Sequence, residues 1–60
     1  MRNREKMLFQ LEQLMAVYNN LIKTSELCND AWGKDVIEKN ASNLLMVINN
    51  LEDILKTIND

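Results

Sequence analysis

Apolar residues recur along this chain in alternating steps of four and three. One run is Met7, Leu11, Leu14, Tyr18, Leu21, Ser25, Cys28, Trp32; a second is Ile37, Ala41, Leu44, Ile48, Leu51, Leu55, Ile58. Fourteen of these fifteen positions are apolar or amphipathic, with Ser25 the exception. An average step of about 3.5 residues places each run on one stripe of an α-helix, at heptad positions a and d. Strand alternation fits neither half. The runs are separated by Asn29-Asp30-Ala31-Trp32-Gly33-Lys34-Asp35. Gly33 suits the left-handed conformation that closes a helix, and Asp35 followed by Glu38 matches a capping box for the next one. The pattern therefore predicts a helix over about 4–30, a turn over about 30–35 and a helix over about 36–58, in a single helical-hairpin domain covering 1–60. Each helix would be roughly 35–40 Å long. Matched lengths and a short connection favour antiparallel pairing. The expected fold class is all-α.

The positions beside the seam carry a second message. Leu8, Met15 and Ile22 fall at e in the first helix and Val17 at g; in the second, Leu45 is at e, and Val47 and Ile54 are at g. A two-stranded coiled coil usually places charges there. An apolar stripe this wide lets each helix touch more than one neighbour, and a lone hairpin would leave a patch in water of the kind that marks an interface. Dimerisation into a four-helix bundle is the expected remedy. Charge at the helix ends points to the same antiparallel topology. Arg2, Arg4 and Lys6 open the first helix, and Glu52, Asp53 and Asp60 close the second. Both groups oppose their own helix dipole, and folding the chain back brings them together. A weak internal echo aligns Leu14–Leu21 with Leu44–Leu51 at five identities in eight. Shared richness in Leu and Asn accounts for it.

Composition narrows the function. Sixty residues form one small domain, with 47% apolar and 27% charged residues, one glycine, no proline and three aromatics. This is neither a disordered tail nor a β-sandwich. A chain of this size buries only about 60% of its unfolded surface and is marginal alone. One cysteine cannot close a disulfide within the chain, and without histidine no zinc cluster forms. Association is the remaining support. A net charge of −2 gives no general pull toward nucleic acid or anionic lipid. The longest apolar run, Leu44–Ile48, is far shorter than the roughly 20 residues of a membrane span. The start is basic, but the apolar stretch that follows is broken by Gln10, Glu12 and Gln13 and does not read as a signal peptide, so a cytoplasmic location is expected.

Few residues suggest chemistry. Cys28, at a d position and without basic neighbours, reads as a small seam residue rather than a reactive thiol. Trp32 reads as a plug for the closed end of the hairpin. The carboxylates read as solvated helix faces, since nothing gives any pair a reason for an altered pKa. Asn40-Ala41-Ser42 has the form of a glycosylation sequon but lies inside the second helix. Phe9 and Met46 at f, with Leu27 at c, face away from the seam, and Met7, Leu8 and Phe9 together form a candidate anchor for a partner helix or groove. The expected partner-binding residues are Met7, Leu8, Phe9, Met15, Ile22, Leu45, Met46, Val47 and Ile54.

The reading is a non-catalytic protein that acts through helix–helix association. It forms a homodimeric four-helix bundle, or serves as a regulatory, co-chaperone or inhibitory subunit that completes its core on a partner protein. No catalytic residue, cofactor, metal or small-molecule substrate is expected. The alternative is a dimeric RNA- or DNA-binding regulator. In length and architecture the chain resembles small plasmid-encoded regulators that grip paired RNA loops as dimers of hairpins, a likeness of fold that implies nucleic acid as the partner. The seven basic residues, however, form no continuous stripe.

Overall fold

The computed structural model describes residues 3–58. Two helices, α1 (Asn3–Leu27) and α2 (Ala31–Thr57), pack antiparallel through a three-residue connection. At 1.5 Å per residue they are about 38 and 40 Å long, and together they form a slab of 46 × 17 × 9 Å measured on Cα atoms. The all-α hairpin expected from the heptad pattern is present.

The heptad also locates the core. Leu11, Ile48 and Leu55 form its buried cluster, with Met7, Leu14, Tyr18, Leu44 and Leu51 packed against it and partly covered. Two small seam residues, Ala41 and Ser25, are buried as deeply, at 1% and 3% exposed. Ser25 is the one polar residue in the stripe, and it is satisfied locally: its hydroxyl donates to the Ile22 carbonyl one turn back, at 2.8 Å. A buried hydroxyl with such a partner avoids the cost of an unmet hydrogen bond. No buried side-chain nitrogen or oxygen among the described residues lacks a partner.

The connection differs from the sequence-based expectation. α1 ends at Leu27 and α2 begins at Ala31, five residues earlier than the pattern suggested. Asp30 sets this start. It has extended backbone angles (φ −90°, ψ 124°), and its carboxylate accepts from the Gly33 backbone N–H at 2.7 Å. Its carbonyl accepts from Lys34 N–H at 2.9 Å, the first bond of the new helix. An Asp at the N-cap satisfies one of the donors that any helix start leaves unpaired, and its negative charge complements the helix dipole. Gly33 is therefore not a terminator. It sits inside the first turn of α2, and no described glycine has positive φ. Asp35, expected to be the cap, lies within the helix and pairs with Lys39 at 3.0 Å.

Moving the helix start also moves Trp32. Read as a continuation of the first run, it would sit at an a position and plug the hairpin. Once the chain breaks at residues 28–30, Trp32 takes the register of α2, and counting back from Ile37 places it at f, opposite the seam. It is 74% exposed, so the plug reading is corrected.

The expected pairing of opposite charges at the open end is likewise absent as direct contact among the described residues. Asp53 pairs with Lys56 of its own helix at 3.6 Å. Arg2 and Asp60 lie outside the described residues. The described charged side chains at this end, Arg4, Lys6, Glu52, Asp53 and Lys56, are exposed, and in water an ion pair is worth too little to overcome the entropy of holding it.

Candidate interaction surface

A two-helix slab can bury only the stripe between its helices. Every described seam residue except Trp32 is at least partly buried, while the large apolar residues at the flanking e and g positions are exposed apart from Ile22. Leu8, Met15, Val17, Leu45, Val47 and Ile54 are each between 38% and 48% exposed. Phe9 and Met46 are further out, at 51% and 62%.

The structure divides the sequence-derived residues into four groups. Met7 belongs to the seam and packs on the core cluster. In an antiparallel pair, the e positions of both helices lie on one broad side of the seam and the g positions on the other. Leu8, Met15, Ile22 and Leu45 consequently share one face, and Val47 and Ile54 share the opposite one with Val17. Phe9 and Met46, at f, point away from the partner helix altogether. Leu27, the last residue of α1, is the most exposed of the large apolar residues.

The two broad faces differ in charge, a feature that sequence reasoning about single residues missed. The e and b positions carry six carboxylates: Glu5, Glu12, Glu26, Asp35, Glu38 and Glu52. They include one cation, Lys56. The g and c positions hold amides, hydroxyls and aliphatic side chains, with Lys6 as their one charged group. The signal was available in the heptad, but only once the antiparallel pairing shows which flanks of the two helices come together. A shallow cleft of roughly 250 Å³ opens beside Lys6 and Gln10, on the uncharged side near the open end. Met7, Leu11 and Leu51 line it from the seam.

Among the described residues, no group of three His, Cys, Asp or Glu is placed to hold a metal ion. Cys28 is a free, half-buried thiol whose Sγ lies 3.5 Å from the Asp30 carbonyl oxygen. The described cations divide between the open end (Arg4, Lys6, Lys56) and the closed half (Lys23, Lys34, Lys39), with no stripe connecting them. No described helix is long and apolar enough to cross a membrane.

The dimensions indicate how much surface is left uncovered. The accessible surface is 4716 Å², whereas a compact monomer of 7.0 kDa is expected to expose about 4,000 Å². The radius of gyration is 14.2 Å, against about 10 Å for a compact chain of this length. The hairpin thus presents an accessible apolar surface on a single layer of helices, suited to a protein partner. No known protein family matches this chain, and no curated protein or solved structure matches it.

Proposed function

We propose that this chain is a non-catalytic association module whose helices complete their core against another polypeptide, as a four-helix bundle of two copies or as a regulatory subunit on a different protein. The observation carrying the proposal is the row of half-exposed aliphatic residues on both flanks of the seam. Burying such side chains fully is worth about 1.5–3 kcal/mol each, and the lone hairpin forgoes much of that. Helix pairs that leave apolar flanks gain by forming a second layer. The nucleic-acid alternative has no comparable support, because binding along a phosphate backbone requires cations gathered on one face.

The test is the behaviour of the purified chain. Sedimentation equilibrium and far-UV circular dichroism are measured from low micromolar to millimolar concentration. The proposal expects either a helical oligomer whose melting temperature rises with concentration, or a poorly helical, dye-binding monomer that gains structure when a partner is supplied. A monomer that melts cooperatively, independently of concentration, and binds no hydrophobic dye would overturn it.

A further inference from the structure

Resting on that association reading, we infer that the occupant of the uncharged broad face, centred on Val17 and Val47 with Ile54 beside them, is a second copy of this chain, docked about a twofold axis. Three observations carry it.

The first is area. The broad face of the slab measures 46 × 17 Å, about 780 Å², and a stable interface takes roughly 800 Å² from each partner. One hairpin laid on another therefore uses the whole face and needs no further element.

The second is charge. A twofold contact is self-complementary, so each face meets itself. On the carboxylate-bearing side, self-contact would bring Glu5, Glu12, Glu26, Asp35, Glu38 and Glu52 against the same set on the other copy, with only Lys56 to offset them. Like charges juxtaposed in an interface are strongly unfavourable. The other side has no such obstacle: its one charged group, Lys6, lies at the open end, far from mid-length, and Val17, Val47 and Ile54 lie among Gln10, Asn20, Thr24, Asn40 and Asn50, all able to hydrogen-bond their own kind.

The third is position. Val17 and Val47 each lie within three residues of the midpoint of their helix. A twofold axis lying in the plane of the contact and crossing the helices at mid-length therefore sets valines against valines and keeps the ends of the two hairpins in register. The cleft formed by Met7, Leu11 and Leu51 opens on this same side, offering a depression for an aliphatic side chain of the other copy.

The experiment is sedimentation equilibrium on the full chain and two variants, one with Val17→Glu and Val47→Glu together and one with Met15→Glu on the acidic face. All three sites are exposed, and helicity is checked by circular dichroism. The expected result is a mass of twice 7.0 kDa for the unaltered chain, retained by Met15→Glu, with dissociation at least about 100-fold easier for the double variant. Should the double variant lose its helices, oxidative cross-linking substitutes for it: in a Cys28→Ala background, Val17→Cys forms a covalent dimer and Met15→Cys does not. A dimer that Met15→Glu dissolves and the valine variant leaves intact would overturn the assigned face while sparing the association reading. A poorly helical monomer at millimolar concentration would overturn the second copy as occupant and leave a different protein in its place. A cooperative, dye-inert monomer would overturn both.

Discussion

The start of α2 rests on one carboxylate, and its removal gives a quantitative test. Asp30→Ala removes the acceptor that Gly33 N–H meets at 2.7 Å, leaving that donor to water. Loss of an Asp N-cap costs about 1 kcal/mol, within a range of roughly 0.5–2, and the lost negative charge at the dipole's positive end adds a few tenths. In a domain of this size each kcal/mol lowers the melting temperature by about 4–8 °C. The control is Asp35→Ala, which removes an i,i+4 ion pair with Lys39 whose side chains are 75% and 57% exposed. That pair is worth only about 0.3–0.5 kcal/mol. Asp30→Asn, which keeps a good cap acceptor, should stay close to the parent. The assay is thermal denaturation by far-UV circular dichroism at one fixed protein concentration, with added salt to screen the Asp35 pair. If Asp35→Ala destabilised the chain as much as Asp30→Ala did, the second helix would start near residue 36, with Asp35 rather than Asp30 as its cap.

Other outcomes follow from the thin core and the closed end. Ile48→Ala removes the centre of the buried cluster and should cost about 2–5 kcal/mol, a large share of the roughly 3–9 kcal/mol available to 60 residues; a urea midpoint close to the parent's would count against the assigned core. Trp32→Ala should change stability by less than about 0.5 kcal/mol, and Trp32 fluorescence in the folded chain should have the red-shifted maximum of an indole in water; a blue-shifted maximum would contradict its exposure. A Cβ on Gly33 would meet Cys28 Sγ at 3.0 Å and Asp30 Oδ2 at 3.3 Å. Gly33→Ala alone should therefore forfeit most of the roughly 1 kcal/mol that alanine gains over glycine in a helix. In a Cys28→Ala background the same substitution should recover part of that gain, as read from paired melting curves.

Much of the architecture was legible from spacing alone. The steps of four and three identified both helices and all but one of the seam residues, because a residue on a helix faces its neighbour according to its phase, and phase accumulates locally. Leu11, Ile48 and Leu55 are core residues for that reason, and Phe9 and Met46 are exposed for the same reason. Residues 28–35 are less legible, because two acidic residues and a glycine there compete for the same roles. Asp35 and Gly33 have good local credentials, yet Asp30 captures the helix start because a three-residue connection already lets the chain reverse. Once it does so, Trp32 changes register and moves from the seam to solvent.

What the amino-acid order determined was therefore the phase of each helix: which side chains line the stripe, and which flank it. Tertiary structure decided how the flanks combine. Antiparallel pairing places e beside e and g beside g, and only this sorts the carboxylates onto one broad face and the amides and valines onto the other. Charge segregation of this kind is a property of two helices side by side, so it has no counterpart in either helix read singly.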